Sequence, residues 1–220
     1  MSNAFRSHIA VFGGSFDPPH IGHEIAVQGL LEHPGVGNVL VLPTYKNNLK
    51  LSGTSYQHRF EMAKLNFKKF EVSDFESSSK IKSSFELLSS IKRVTSEKPI
   101  GFVIGSDQLE NLNRWVNFPQ FLGLCDWIVL VRKPKAIHFC FDQIRKLLNL
   151  GILKSTENPD RFQVKIGDAP RFLTLVETSA PEISSTQIRE KITLRKKNEI
   201  ATFLKKDVLE YIERNSLYGT

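Results

Sequence analysis

The sequence contains few cysteines and no long hydrophobic run. Cys125 and Cys140 are the only two cysteines among 220 residues, and without a CxxC spacing they predict neither a disulfide framework nor a zinc site. No apolar stretch approaches the roughly 20 residues that span a bilayer. The first residues also lack a basic segment followed by a hydrophobic one. We therefore expect a cytoplasmic protein with no membrane partner.

The signatures of several enzyme classes are also missing. The chain has no GxSxG elbow, no HExxH pair, no GxxxxGK[ST] phosphate loop and no evident Cys–His nucleophile pair. These absences exclude the usual patterns of α/β-hydrolases, zinc proteases and P-loop NTPases. No group of residues suggests an all-protein metal site, so we assign no metal ligand.

Acidic residues are outnumbered by basic ones. Thirty Lys and Arg against 23 Asp and Glu give a net charge of +7. The basic residues are scattered in short clusters and are not interleaved with aromatic side chains, as a nucleic-acid platform would require. We interpret most of them as solvated surface and a few as local anion-binding groups, which favours a small anionic substrate over nucleic acid.

The sequence does contain an alternation of apolar strands and helical patterns. His8–Phe12 and Asn38–Leu42 are predicted as buried strands, and a helical pattern through Leu30 connects them. This βαβ unit predicts an α/β fold with a Rossmann-like, mostly parallel sheet and helices on both faces. Further strands are predicted at 71–75, 100–104, 126–131 and 172–176, and helices at 56–70, 85–94, 141–150 and 206–214.

The length suits one domain. We expect residues 1–220 to form a single domain whose last part, from about 184 to 220, is helical. The polar stretch 155–168 is interpreted as an exposed excursion from that domain.

Gly13–His23 lies at the centre of the predicted site. It follows the first strand and opens the first helix, a geometry that presents backbone N–H groups and a helix N-terminus to a phosphate. His20 and His23 are three residues apart, which on a first helical turn puts both imidazoles on one face. We predict that they donate hydrogen bonds to phosphate oxygens in a transition state. Phe16 is interpreted as packing under the turn, and Asp17 as holding the turn in preference to binding Mg²⁺.

A second anion site is predicted at the start of a later helix. Ser184 and Gln187 fit a capping box, which accounts for part of this sequence. Ser185 and Thr186 add two further hydroxyls, and Arg189 follows one turn later. We predict that backbone N–H groups, hydroxyls and the guanidinium converge there on one phosphate.

Other candidate residues follow predicted strands. Gly105 and Asp107 come directly after a buried strand, and Lys46 and Lys50 lie in the loop after the second strand. Ligands of open α/β sheets bind at such strand ends. Trp115 lies where a planar ligand ring could stack on it, with core packing as the alternative, and either lysine is equally well explained as solvated. Together these groups are typical of phosphoryl or nucleotidyl transfer.

Two segments resemble the signatures of the nucleotidyltransferase superfamily. Gly13–His23 matches GG-x-F-D-P-x-H-x-G-H, and Ile183–Arg189 matches ISSTxxR. Within that superfamily the chain resembles the bacterial nicotinate-nucleotide adenylyltransferases. Arg59–Met62 resembles their R-x-x-M helix, Gly105–Pro134 their G-x-D…W…R-x-P segment, and Val208–Tyr218 their C-terminal helix, so the resemblance extends over nearly the whole chain.

The resemblance implies a Rossmann-like fold of the HxGH type in which ATP and a pyridine mononucleotide bind side by side at the strand ends. The mononucleotide phosphate would attack the ATP α-phosphorus, with Mg²⁺ bridging phosphates, to release pyrophosphate and form the dinucleotide. By motif match, the catalytic residues would be His20, His23 and Arg189. ATP would be bound by Gly14, Ser15, Phe16, His20, His23, Gly105, Asp107, Ser185, Thr186 and Arg189. The mononucleotide would be bound by Lys46, Lys50, Trp115 and Arg132.

One departure from the family pattern concerns the second substrate. The usual P-P-H-K-like run is replaced by Pro43–Lys50, in which Leu49 stands at the position of the histidine and Lys50 at that of the lysine. Nicotinamide mononucleotide is therefore an alternative to nicotinate mononucleotide. Nucleotidyltransferases of the phosphopantetheine or glycerol-phosphate type are further alternatives.

His20–His23 also spells the HIGH motif of class I aminoacyl-tRNA synthetases. No KMSKS-like segment accompanies it, so a tRNA-synthetase-like protein is a remote alternative, as is a basic nucleic-acid-binding module. Association into a homo-oligomer is left open.

Overall fold

A computed structural model of the chain describes residues 8–45, 54–81, 83–94, 99–132 and 134–220. The strands are β1 His8–Gly14, β2 Val36–Pro43, β3 Glu71–Val72, β4 Ile100–Gly105, β5 Asp126–Val131, β6 Leu153–Ser155, β7 Arg161–Val164 and β8 Arg171–Glu177. The α-helices are α1 Ile21–Glu32, α2 Tyr56–Asn66, α3 Phe75–Ser78, α4 Ser84–Val94, α5 Pro134–Asn149, α6 Ser185–Thr193, α7 Lys197–Ala201 and α8 Lys206–Arg214. Short 3₁₀ helices cover Ser106–Arg114, Gln120–Gly123 and Leu217–Gly219.

The strands form one sheet in the order β3-β2-β1-β4-β5-β8-β7-β6. The pairs β2–β3, β1–β4, β4–β5 and β5–β8 are parallel, whereas β6, β7 and β8 are joined by antiparallel pairing. Every residue of β5 is buried, as expected of a parallel strand covered on both faces. The predicted α/β fold with a mostly parallel sheet is confirmed.

The interpretation of residues 155–168 as an exposed excursion was wrong. Leu153–Ser155 and Arg161–Val164 are the antiparallel strands β6 and β7, and Phe162 and Val164 are buried. β7 is only four residues long, so the alternation of Arg161 and Gln163 with the buried Phe162 and Val164 is too short to give a strong period-2 signal.

The helix predicted at 141–150 begins seven residues earlier than expected. Helix α5 starts at Pro134, and proline is favoured at the first helical position because its missing N–H has no partner there anyway. None of the helices within the described part of the chain is long and apolar enough to cross a membrane.

The chain divides into two compact units. The first comprises Met1–Phe12, Gly29–Val39 and Lys82–Ser179. Its core includes Trp127, which is fully buried and donates its indole N–H to the Leu122 carbonyl at 3.0 Å.

The second unit comprises Gly13–Gln28, Leu40–Ile81 and Ala180–Thr220. Its core is a cluster of aliphatic side chains from α2, α6, α7 and α8 and from the segments beside them: Met62, Ile183, Ile188, Ile192, Ile200, Leu204, Val208 and Ile212. Both predicted phosphate-binding segments belong to this unit.

Candidate active site

The backbone of the Gly14–Pro18 turn is held by hydrogen bonds to its carbonyls. The Gly14 carbonyl accepts the N–H of Thr44 at 2.9 Å, and the Ser15 carbonyl accepts Arg59 Nη1 at 2.7 Å. A trans peptide directs its carbonyl and its N–H to opposite sides. The N–H groups of Ser15 and Phe16 therefore point away from Thr44 and Arg59.

Phe16 packs beneath this turn, as the sequence predicted. Its ring is 2 % exposed and makes edge contacts with the rings of His23 and Phe67. A Cβ atom on Gly14 would lie 2.8 Å from the Phe16 ring, so Gly14 cannot carry a side chain while the ring occupies this position.

His20 and His23 lie against each other at the start of α1. Their ring centroids are 3.7 Å apart with an interplanar angle of 30°. The backbone N–H of His20 donates to His23 Nδ1 at 3.2 Å, so the neutral His23 ring carries its proton on Nε2. The expected juxtaposition of the two imidazoles is present, and His20 is almost fully buried.

Gly22 makes room for the His20 imidazole. A Cβ atom at this position would lie 3.0 Å from His20 Nδ1 and 3.4 Å from Ile183 Cγ2. An alanine between the two histidines would therefore have to displace the His20 ring by a few tenths of an ångström.

We expect Gly22→Ala to lower kcat about tenfold, because displacing a catalytic group by a few tenths of an ångström weakens its alignment. The measurement is steady-state turnover of the purified variant. Gly29→Ala in the same helix is the matched control, because its Cβ atom would meet Thr178 Oγ1 at an ordinary 3.5 Å. Equal kinetic constants for the two variants would contradict the packing argument.

Helix α6 is attached to the turn by two of its predicted residues. Ser185 Oγ donates to the Pro18 carbonyl at 2.8 Å, and Arg189 Nη1 donates to the Asp17 carbonyl at 2.6 Å. Arg189 Nη2 also donates to Thr186 Oγ1 at 3.1 Å. The two segments that lie about 160 residues apart in the sequence are thus in direct contact.

The capping box predicted for α6 is confirmed. Ser184 Oγ accepts the N–H of Gln187 at 3.2 Å, and Gln187 Oε1 accepts the N–H of Ser184 at 2.9 Å. The hydroxyls that follow have different tasks from those expected, because Ser185 donates its proton to the turn and not outward.

Asp17 holds the turn, as the sequence favoured. Its carboxylate is buried, and Oδ1 accepts the hydroxyl of Tyr218 at 2.7 Å. Arg189 Nη1 lies 4.0 Å from Oδ2. Burial and the neighbouring Asp17 raise the pKa of the Tyr218 hydroxyl, which therefore keeps its proton and donates it to Asp17.

The N-terminus of α1 presents fewer groups than expected. The N–H of Ile21 donates to the Phe203 carbonyl at 2.9 Å, and the N–H of His23 donates to the His20 carbonyl at 2.9 Å. Two N–H groups of this first turn are therefore engaged within the protein.

In the first unit, Gly105 ends β4 and Arg132 directly follows the adjacent parallel strand β5, with Gly105 in register with Leu130. Asp107 Oδ1 folds back to a point only 2.4 Å from where a Cβ atom on Gly105 would be, so a side chain there would displace the Asp107 carboxylate. The Asp107 side chain is exposed and its Oδ2 accepts Gln108 Nε2 at 2.8 Å.

Trp115 is half-buried in an aromatic cluster of the first unit. Its indole stacks on Phe121 with centroids 5.6 Å apart and meets Phe102 and Trp127 edge-on. Part of the Trp115 side chain therefore packs within the protein, as the alternative interpretation expected. A ligand ring could stack only on the part that remains exposed.

Comparison with known proteins identifies the family. The cytidylyltransferase-like family model matches residues 11–191, a span that includes both signature segments. A protein of Fusobacterium nucleatum named "Probable nicotinate-nucleotide adenylyltransferase" is 32% identical over 213 residues, covering 94% of this chain and 97% of its own length. The chain belongs to the nicotinate-nucleotide adenylyltransferase family.

Further members of the adenylyltransferase family agree with this assignment. A relative of the same name from Caldicellulosiruptor saccharolyticus is 31% identical over 218 residues, covering 96% of this chain and 98% of its own length. Among solved structures, Plasmodium falciparum nicotinic acid mononucleotide adenylyltransferase complexed with NaAD matches with a TM-score of 0.73 and 20% identity, covering 96% of this chain and 97% of that one. Because its sequence identity is low, the similarity to the Plasmodium falciparum structure supports only the fold.

Adenylyltransferases act on ATP, so we tested whether the described residues could hold a cation. Within residues 8–45, 54–81, 83–94, 99–132 and 134–220, no group of three or more His, Cys, Asp or Glu side chains could bind a metal ion. Both Asp17 oxygens face Tyr218 or Arg189. The Asp17 carboxylate is therefore already engaged within the protein.

Some residues predicted for this adenylyltransferase site lie outside the described part of the chain, and the sequence did not reveal the contacts of some others. Lys46 and Lys50, together with Leu49, fall outside the described residues. Arg59 and Tyr218 were noted only as parts of family-like segments, and their contacts with Ser15 and Asp17 join positions far apart in the sequence. No local pattern could have revealed these contacts.

Proposed function

We propose that this chain transfers the adenylyl group of ATP to nicotinate mononucleotide, giving nicotinate adenine dinucleotide and pyrophosphate. The observation that carries the proposal is the junction of the two signature segments, in which Ser185 and Arg189 bind the Pro18 and Asp17 carbonyls beside His20. Membership of the family supports the choice of second substrate.

In the proposed reaction an oxygen of the mononucleotide phosphate attacks the α-phosphorus of ATP. The bond from that phosphorus to the oxygen bridging to the β-phosphate breaks, and pyrophosphate leaves with the electron pair. Negative charge builds on the α-phosphate oxygens, and N–H donors of His20 and His23 stabilise it. The close stacking of the two rings supports a shared target.

The remaining ATP contacts follow from the geometry of the second unit. A guanidinium carries five N–H donors, of which the Asp17 and Thr186 contacts of Arg189 use two, so its other donors can bind phosphate oxygens. Thr186 can add its hydroxyl, and Ser185 its backbone N–H at the start of α6. The N–H groups of the Gly14–Phe16 turn would complete the phosphate site.

The other proposed contacts involve the first unit and the loop after β2. We assign Gly105 and Asp107 to the adenosine, Trp115 to the pyridine ring, and Arg132 to the mononucleotide. Lys46 and Lys50 would bind the mononucleotide phosphate. These assignments rest on motif match and on the location of Gly105 and Arg132 at neighbouring strand ends.

Mg²⁺ enters the proposal as part of the ATP substrate, where it neutralises phosphate charge. We further infer a single catalytic domain over residues 1–220 that works in the cytoplasm, with a homo-oligomer left open.

The proposal predicts ATP- and Mg²⁺-dependent release of pyrophosphate with nicotinate mononucleotide. The same assay is run with nicotinamide mononucleotide, phosphopantetheine and glycerol 3-phosphate, and the dinucleotide is identified by mass. We expect turnover with nicotinate mononucleotide to exceed that with the other three.

Silence with both pyridine mononucleotides would refute the proposal. Faster turnover with nicotinamide mononucleotide would keep adenylyl transfer and reverse the substrate preference. Pyrophosphate release with one of the other two acceptors would move the protein to a different nucleotidyltransferase type.

A further inference from the structure

Arg59 is a buried arginine whose hydrogen bonds, among the described residues, all go to backbone carbonyls, while its guanidinium also lies over the Tyr56 ring at 5.7 Å. It lies in α2 and is 4 % exposed. Nη1 donates to Ser15 at 2.7 Å, Nη2 to Thr44 at 2.8 Å and to Tyr45 at 3.3 Å, and Nε to Thr54 at 3.2 Å. One side chain therefore connects the phosphate turn with the end of β2 and with the start of α2.

This arrangement requires a guanidinium. Arginine presents its donors in a rigid planar fork, whereas lysine carries one compact ammonium on a flexible stem. A lysine at position 59 could keep the charge and one or two of the four carbonyl contacts, but it could not reach all three segments together. Burial lowers the pKa of Arg59, while the carboxylates of Asp17 and Glu76 oppose this change.

The Ser15 contact affects the phosphate site directly. Because Ser15 C=O and Phe16 N–H belong to one planar peptide, holding the carbonyl fixes the direction of the N–H. The contacts to Thr44, Tyr45 and Thr54 hold the chain at the end of β2 and at the start of α2. Glu76 also fixes the chain after β2, because its Oε2 accepts the N–H of Tyr45 at 2.9 Å.

We propose that Arg59 is a positioning residue that aligns the nucleotide phosphate turn with the end of β2 and the start of α2. The alignment of the turn concerns nucleotide binding alone, whereas the expected effect on the second substrate rests on the proposed adenylyl transfer.

The test compares Arg59→Lys and Arg59→Ala with Arg214→Lys, a control on an exposed arginine at the end of α8. Binding of α,β-methylene-ATP is measured without a second substrate, and KM and kcat are measured with ATP and nicotinate mononucleotide. We expect Arg59→Lys to weaken analogue binding about tenfold and to raise the mononucleotide KM about tenfold, since both substrates lose their alignment. Arg214→Lys should remain within about twofold of the parent for both quantities.

Chemical rescue separates positioning from mere stability. Guanidinium ion at millimolar concentration should restore several-fold of the activity lost by Arg59→Ala, whereas methylammonium should not, because only the planar ion reproduces the fork. If Arg59→Ala does not fold, Arg59→Lys carries the test alone.

The proposal is overturned if Arg59→Lys is folded and binds the analogue as tightly as the parent, or if guanidinium restores the melting temperature but not the kinetics. Failure of the proposed function has a different signature. In that case the parent protein binds the analogue but does not turn over either pyridine mononucleotide, and analogue binding by Arg59→Lys still decides the role of Arg59.

Discussion

Replacing His20 with alanine should lower kcat about 10²-fold or more, the usual cost of removing one donor that stabilises a developing oxyanion. KM should change little, because the interaction is made in the transition state and not in the ground state. The ring is almost fully buried and stacked on His23, so packing holds it in one position.

The fold should survive this substitution. Three contacts at the start of α1 use the main chain of His20: the N–H donates to His23 Nδ1, and the carbonyl accepts the N–H of His23 and the side-chain amide of Asn66. His138→Ala, at an exposed position on α5, is the matched control and should leave kcat unchanged. Normal turnover by the His20 variant would remove His20 from the catalytic residues.

The elements that the sequence predicted best are those with a complete local signal. β5 at Asp126–Val131 carries an unbroken apolar run after its first residue, and α8 at Lys206–Arg214 is a short amphipathic helix. Both have the bounds that were expected. The meeting of the Gly13–His23 and Ile183–Arg189 segments was also predictable, because each is a signature with its own phosphate-binding logic.

What the sequence could not predict depends on contacts between distant positions. The proton of the Ser185 hydroxyl is used to bind Pro18, and the first N–H of α1 is used to bind Phe203. Both groups are typical phosphate ligands when viewed locally. Only the packing of α6 and the segment after α7 against the turn shows that they are already bonded within the protein.

The same holds for the residues that position the site. Arg59 and Tyr218 have ordinary sequence surroundings, yet one binds Ser15 and the other binds Asp17. Sequence resemblance pointed to the segments that contain them but gave no reason for their presence. Their physical task is to orient the backbone that binds the substrate.

The second large effect is expected at Glu76, a buried carboxyl beside Arg59. It is 6 % exposed, and its Oε2 accepts the N–H of Tyr45 at 2.9 Å. Burial raises the pKa of Glu76 from 4.5 to about 7, against the opposing effects of the Tyr45 N–H and the Arg59 charge. Desolvation of the carboxylate therefore outweighs the attraction of its neighbours.

This shift makes stability depend on pH with a definite sign. Between about pH 4.5 and 7 the folded protein keeps a proton on Glu76 that the unfolded chain has lost, so the free energy of unfolding decreases as the pH rises through this window. Above about pH 7 Glu76 is ionised in both the folded and the unfolded protein, and the full destabilisation from burying its charge is present. A shift of this size corresponds to about 3 kcal/mol.

Glu76→Gln should therefore stabilise the protein by about 3 kcal/mol at pH 8, because the amide oxygen still accepts the Tyr45 N–H and no charge is buried. The gain should decrease as the pH falls and be close to zero at pH 4, as measured by denaturant unfolding at each pH. Glu71→Gln, at an exposed position on β3, should show no such trend. A Glu76→Gln variant that is less stable than the parent at pH 8 would mean that attraction to Arg59 dominates. The ionised carboxylate would then stabilise the folded protein through its attraction to Arg59, and its burial would not be destabilising overall.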